Sequence, residues 1–298
     1  MAGPAASTTP EGARRLRWGA EALQARLEPL LPGLAVEVVG SAGSTNTVLL
    51  ERARLAAAAG GTMPPALLVA ERQTSGRGRL GRSWQSDAAT SLTFSLALAF
   101  EPQDWSGLSL AVGVALAEAL QAPAGPRIAL KWPNDLWLVD AGAGTAQGRK
   151  LGGVLIETVA AGRQRVAVIG VGLNAAPLPP SLTSGLARPT GCLQELECGI
   201  DAPAALGRVA APLARAVVDF ERAGFGPFVA RFAALDVLRD QAITTGDPGA
   251  PSGVARGVDA RGGLRVETAG GLHVAYGGEV SVRPAGVTLP ARAWAESR

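Results

Sequence analysis

The sequence predicts an α+β chain: a mixed β-sheet flanked by helices, followed by a small all-β barrel. Three observations predict it. Strand-like and helical stretches alternate between residues 34 and 121, and four strand-like stretches then follow one another from 127 to 174 with no helical pattern between them. From Asp236 to Pro284 short strands are separated by the Gly/Asp turns "TTGDPG", "VDARGG" and "TAGG". With 298 residues and 47% hydrophobic content, the chain can bury one large core and one small one. The expected division is an N-terminal extension over 1–35, a main domain over 36–235, the barrel over 236–286 and a tail over 287–298.

In order, a helical pattern runs from Arg14 to Leu31 with apolar positions Leu16, Leu23, Leu27, Leu30 and Leu31. "LAVEVVG" (34–40) reads as a strand, and "STNTVLLERARLAAAA" (44–59) as a helix with Ser44 or Thr45 at its N-cap. "PALLVAER" (65–72) is a buried strand leading into a glycine loop, and "TSLTFSLALAF" (90–100) a strand leaving it. An apolar helix spans about Ser106–Gln121 and stops at "APAGP". "RIALKW", "DLWLVD", "KLGGVLIETV" and "RVAVIGVGLN" then read as strands, with "AGAGTAQG" (141–148) as a flexible hairpin tip. A proline-rich loop (175–191) precedes helices at about Ala202–Arg222 and Phe225–Leu235.

Composition excludes several classes. The apolar-rich stretches Leu92–Phe100 and Leu108–Leu120 fall short of the roughly 20 residues that span a bilayer, so no membrane helix is expected. The N-terminus lacks an apolar segment before its arginines, which argues for a cytoplasmic protein. Cys192 and Cys198 are the only cysteines and have no histidine near them, so they read as ordinary thiols rather than metal ligands. His273 is the single histidine; it lies in a strand-like segment and reads as structural, which counts against triad hydrolases. The net charge of +3 decides little by itself. Of 28 basic residues, however, only Lys131 and Lys150 are lysines. A chain that uses arginine almost everywhere else points to these two places as sites wanting a compact ammonium.

"TSGRGRLGRSW" (74–84) sets Gly76, Gly78 and Gly81 in the spacing G-x-G-x-x-G. A dinucleotide fingerprint needs a helix opening at the third glycine inside a βαβ unit. Here about ten polar residues run to the next strand, with no apolar face for a helix. Four arginines (Arg72, Arg77, Arg79, Arg82) and no acid occupy Arg72–Ser86. Glycines allow close backbone approach and arginines supply planar forks, so the loop reads as an anion clamp, with a solvated basic loop as the alternative.

Five segments in order then carry a resemblance: "STN" (44–46), "ERQTSGRGRLGRSW" (71–84), "KWPND" (131–135), "GRKLGGVLIE" (148–157) and "GVGLN" (170–174). Together they resemble the biotin protein ligases, which join biotin to a lysine of carboxylase carrier domains. "GVDARGGLRVE" and "GGEVSVRP" resemble the SH3-like C-terminal domain of that family, so the likeness covers about residues 36–286. It implies a catalytic sheet related to lipoate ligases and class II synthetases. It also implies two-step chemistry, in which biotin and MgATP give biotinyl-5′-adenylate and a carrier lysine then attacks the acyl group.

On this resemblance Arg77, Arg79, Lys131 and Lys150 are the cations that bring biotin's carboxylate and the α-phosphate together. Ser44, Thr45, Asn46 and Gln73 match the ureido-side positions, although plain N-capping also accounts for Ser44 and Thr45. Gly76 and Gly78 belong to the loop over the adenylate. Gly153, Leu155, Gly170, Gly172 and Asn174 would line the strand walls, with glycine where ligand approaches closely. Trp84 packs either under the adenylate or in the core. Asp135 is the candidate to orient or deprotonate the acceptor lysine; a structural carboxylate paired with a nearby cation is the other reading. No protein metal motif is present, so Mg²⁺ is expected only with ATP.

About 35 residues precede the first strand, too few for the winged helix that some members carry, so a ligase without DNA binding or repressor function is expected. A homodimer, if formed as in the family, would pair edge strands of the catalytic sheet. The nearest alternative is a lipoate or octanoate ligase on the same fold, whose apolar acyl tail does not require the "STN" and Gln73 set. An RNA-binding module is the distant one, and it lacks aromatics interleaved with the basic loop.

Overall fold

The computed structural model describes residues 16–88, 90–140, 148–162, 164–183, 189–277 and 280–284. The expected hairpin tip at 141–148 (apart from residue 148), the start of the first helix, part of the proline-rich loop and the tail lie outside the described residues.

Strands β1 (Ala35–Ala42), β2 (Ala66–Gln73), β3 (Ser91–Ala99), β4 (Arg127–Lys131), β5 (Asp135–Val139), β6 (Arg149–Ala161) and β7 (Gln164–Asn174) form one seven-stranded sheet. Its order is β1-β2-β3-β7-β6-β5-β4. β1 and β2 are parallel, joined by the crossover helix α2 (Thr45–Ala58), and the other neighbouring pairs are antiparallel. The glycine loop therefore links the antiparallel pair β2 and β3 and contains only a short 3₁₀ turn at Arg79–Gly81. A dinucleotide site, which needs a helix at that place, is excluded.

The helices follow from period and termini. Along β3, Leu92, Phe94, Leu96 and Leu98 face the main core, and alternate residues of β7 do the same. On that face pack α1 (Ala20–Leu27), α3 (Leu108–Leu120) and α5 (Ala202–Ala223). α2 covers the other face, over the smaller cluster of Leu49, Leu50, Leu68, Val166 and Val168. Gly19 and Gly107, at φ 59° and 84°, start α1 and α3, so both helices begin later than their apolar periodicity suggests. The short helices α4 (Pro180–Thr183) and α6 (Val229–Leu235) complete the α set among the described residues. None of these helices is long and apolar enough to cross a membrane.

The C-terminal part is a five-stranded antiparallel sheet of β8 (Ala242–Thr245), β9 (Ser252–Val258), β10 (Leu264–Thr268), β11 (Gly271–Ala275) and β12 (Val282–Pro284). This is the small β-domain expected from the turn spacing, and it fits the SH3-like domain that the resemblance implies. His273 is bound to Asp247 there (3.0 Å), in a structural role. The barrel docks tightly on the first sheet. The indole of Trp132 donates to the Gly262 carbonyl (3.0 Å), Arg261 pairs with Asp104 (2.6 Å), and a Cβ on Gly262 would lie 2.7 Å from the Gly107 backbone. Contact that close leaves room only for glycine.

Asp236, where the chain passes between the two sheets, bridges to Leu130 of β4. Its Oδ1 accepts from the Leu238 amide (2.9 Å), while its buried Oδ2 has no hydrogen-bond partner among the described residues. Burial pushes its carboxyl up to about 6. The folded chain thus holds a proton that the unfolded chain releases between about pH 4 and 6, and stability falls as pH rises through that window. Asp236→Asn should keep the acceptor, gain of the order of 1–3 kcal/mol at pH 7.5 and lose this pH dependence. Thermal melts at pH 4.5 and 7.5 check it; a variant less stable than the parent at pH 7.5 refutes it.

Candidate active site

The site lies on the α2 face of the sheet, where β3, β7 and β6 stop presenting bulk. Register aligns Ser95, Gly170 and Leu155 in one row and Thr93, Gly172 and Gly153 in the next. Alternation puts these six residues on one face, so the sheet offers a floor of small and hydroxylated groups.

At one end of the floor the α2 N-terminus delivers the "STN" residues. Ser44 is the N-cap, accepting weakly from the Thr47 amide (3.5 Å). Thr45 donates from its amide (2.8 Å) and its hydroxyl (3.2 Å) to Gln73 Oε1. Ser95 Oγ lies 2.6 Å from both Thr45 Oγ1 and Asn46 Oδ1. Asn46 Nδ2 donates to the Leu155 carbonyl (3.3 Å) and to Glu157 Oε2 (3.0 Å). Both amide donors of Asn46 are thereby used inside the protein, so Asn46 fixes the geometry of its neighbours more than it offers free donors.

The glycine loop crosses the floor as a narrow ribbon. Arg77 bridges to Ser83, the Trp84 amide donates to the Gly76 carbonyl (2.8 Å), and the Gly78 amide donates to the Arg82 carbonyl (2.7 Å). A Cβ on Gly76 would collide with the Trp84 carbonyl. Leu80 and Gly81, at φ 57° and 69°, form the tip. The two interior arginines diverge. Arg77 pairs with Glu157 (2.8 Å), while Arg79 donates to Asn134 Oδ1 (3.1 Å) and to the Val280 carbonyl of the barrel (3.2 Å).

At the other end "KWPND" and "GRKLGG" bring both lysines to one carboxylate. Lys150 Nζ lies 2.7 Å from Asp135 Oδ1 and Lys131 Nζ 3.9 Å from Oδ2, with Lys131 also over the Trp137 ring (5.7 Å). Burial pushes the Asp135 carboxyl up, but Lys150, Lys131 and Arg79 outweigh it and hold it below the ordinary carboxylate range. Burial pulls the Arg79 guanidinium below its ordinary value, against the nearby Asp135 charge. Three cations around one carboxylate leave positive charge for a further anion. Lys150 is framed from behind: Asn174 Nδ2 donates to its carbonyl (3.3 Å) and to that of Gly191 (3.0 Å), leaving a buried Asn174 Oδ1 with no partner among the described residues.

Two expectations need revision. Gly170 and Gly172 were expected to be small for close approach of ligand, but their space is taken by protein. The Asn46 amide sits where a Gly170 Cβ would be, and the Trp84 ring 2.5 Å from a Gly172 Cβ. Trp84 thus packs on the floor strand rather than in the deep core. Gly153 does leave space, beside Asp135 and Lys150. Ser95, Asn134, Glu157 and Val280 were not anticipated as site residues. Ser95 and Glu157 had a signal, a polar residue breaking an apolar strand. Gly170→Ala should displace Asn46 and cost about 1–3 kcal/mol, whereas Gly207→Ala in α5, with open space around it, should be neutral or stabilising. Urea melts of both variants check this; equal effects would refute it.

Among known proteins, residues 40–174 match the Biotin/lipoate A/B protein ligase family and residues 241–283 the Biotin protein ligase C terminal domain. The Bifunctional ligase/repressor BirA of Escherichia coli (strain K12) is 34% identical over 260 residues, covering 86% of this chain and 76% of that protein. The Biotin--[acetyl-CoA-carboxylase] ligase of Mycobacterium tuberculosis is 32% identical over 261 residues, covering 82% and 88%. Biotin protein ligase from Aquifex aeolicus in complex with biotin and ATP superposes with a TM-score of 0.68 at 25% identity, covering 84% of this chain and 99% of that one. With both segments matched and the glycine loop, the paired lysines and the small-residue floor in one place, the chain belongs to the Biotin/lipoate A/B protein ligase family, as a biotin protein ligase.

Proposed function

We propose that the chain is an ATP-dependent ligase that activates biotin as biotinyl-5′-adenylate and passes the biotinyl group to a lysine of a biotin carboxyl carrier domain. The observation that carries this reading is the gathering of Lys150, Lys131 and Arg79 about Asp135 under the glycine loop. A carboxylate oxygen of biotin attacks the α-phosphorus of ATP and pyrophosphate leaves. Two anions must meet, and the three cations lower the cost of that approach. Arg77, with Gly76 and Gly78 beneath it, closes the loop side. Thr45, Gln73, Ser44 and the Asn46-held hydroxyls face the ureido ring, a polar head that an acyl tail such as lipoate's does not have.

In the second step a carrier lysine amine attacks the acyl carbon and AMP leaves. Asp135, an ion-paired carboxylate held below its ordinary range, is a poor proton acceptor, so we assign it to positioning Lys150 and Lys131 rather than to deprotonating the acceptor. Asn174 Oδ1, buried beside the Lys150 carbonyl, offers the adenylate an acceptor. Trp84 supports that side from its place on Gly172. Among the described residues no group of three His, Cys, Asp or Glu side chains is placed to hold a metal ion, and Asp135 is engaged by Lys150. The ion belongs to the substrate, as MgATP.

The test is exchange of labelled pyrophosphate into ATP with biotin or lipoate as the acid. Exchange with biotin alone is expected, falling about 10²–10³-fold or more in Lys150→Ala and similarly in Lys150→Arg, whose planar fork does not fit a compact ammonium site. Exchange with lipoate and none with biotin would refute the substrate, and full exchange in Lys150→Ala would refute the site.

A further inference from the structure

We infer that Glu157 is a positioning residue: it fastens the glycine loop to the sheet through Arg77, and so sets how long the enzyme retains its acyl-adenylate. The inference rests on the ligase reading for its second half only. The first half is geometric.

Glu157 stands on β6, two residues beyond Leu155 on the same face, opposite Val168 of β7. A carboxylate beside Leu155 and Val168 is costly unless both oxygens are engaged. Both are. Oε1 takes Arg77 at 2.8 Å and Oε2 takes Asn46 at 3.0 Å. Its side chain is 21% exposed while that of Arg77 is 49% exposed, so the carboxylate is the shielded partner on the sheet and the guanidinium the solvent-facing one on the loop. An anion cannot itself hold the phosphate or the carboxylate of the substrates. Its effect is transmitted through Arg77.

The loop has a second fastening at Arg79, two residues on, which points the opposite way to Asn134 and Val280. Gly78 between them is extended (φ −117°) and Arg79 opens the 3₁₀ turn Arg79–Gly81, so the two arginines leave differently folded backbone and reach different partners. A ribbon pinned on both sides is closed; freed on the Glu157 side it can swing about the Arg79 side, which lets the adenylate escape and proteases enter.

The experiment uses the full chain as Glu157→Gln, Glu157→Asp and, as a control ion pair far from the loop, Glu267→Gln, whose partner is Arg256. Glutamine keeps an acceptor for Asn46 and sets an NH2 in place of the oxygen facing Arg77, which removes both the charge and the acceptor there. Two quantities are read: release of preformed labelled adenylate in a chase with unlabelled ligand, and tryptic cleavage after Arg77 without ligand. Glu157→Gln should accelerate both by roughly 5–30-fold, Glu157→Asp by less, and Glu267→Gln neither. Adenylate release and cleavage unchanged from the parent would overturn the inference. So would equal acceleration in Glu267→Gln, and thermal melts identify a variant that has merely unfolded, for which Glu157→Asp then decides. If the parent forms no adenylate, the ligase reading fails on its own, and the tryptic arm alone decides whether Glu157 fastens the loop.

Discussion

Three cations crowded at one end of the small-residue floor would repel one another before any substrate arrived. The Asp135 carboxylate is what lets them remain. It takes Lys150 at 2.7 Å and Lys131 at 3.9 Å, and its charge also favours Arg79. The arrangement needs strands β4 and β5 to form a tight hairpin that sets Lys131 opposite Asp135, and β6 to enter beside them with Lys150. Because the anchor is a single carboxylate, the site stays electropositive without being unstable. On the proposed reading it is arranged for an incoming anion before that anion comes, which is the condition for electrostatic stabilisation at low reorganisation cost.

The same carboxylate ties the two sheets to one task. Trp132, next to Lys131, is buried against the Gly262 carbonyl of the barrel, and Arg79 reaches the barrel carbonyl of Val280. The "KWPND" segment is thus held between the sheets, and the loop over the site is fastened to both. A barrel that only added bulk would not need its backbone carbonyls at these points.

Much of this was legible in the residues. Period-two alternation located the strands, and the lack of an apolar helix after Gly81 told the glycine loop from a dinucleotide turn, which the antiparallel pairing of β2 and β3 bears out. The scarcity of lysine singled out Lys131 and Lys150, which do converge. What could not be read was which partner fills which space. Gly170 and Gly172 are small for Asn46 and Trp84, protein groups from distant segments, and only the β3–β7–β6 register reveals that. Helix starts were misjudged for a local reason. Apolar periodicity extends N-terminal of the point where Gly19 or Gly107 takes a left-handed conformation and the helix begins. The sequence leaves Asp135 open between base and anchor; in the fold it lies 2.7 Å from Lys150 and 3.9 Å from Lys131.

The Arg79 bond to the Val280 carbonyl spans 201 positions of the chain. During synthesis at about 5–20 residues per second, the glycine loop emerges long before the Val280 segment that latches it. The first sheet, with its lysines and carboxylate, can be assembled while that latch is still inside the ribosome. The order of events along the messenger therefore runs from floor to charge to closure, and the glycine loop acquires its second fastening only after the sheet beneath it.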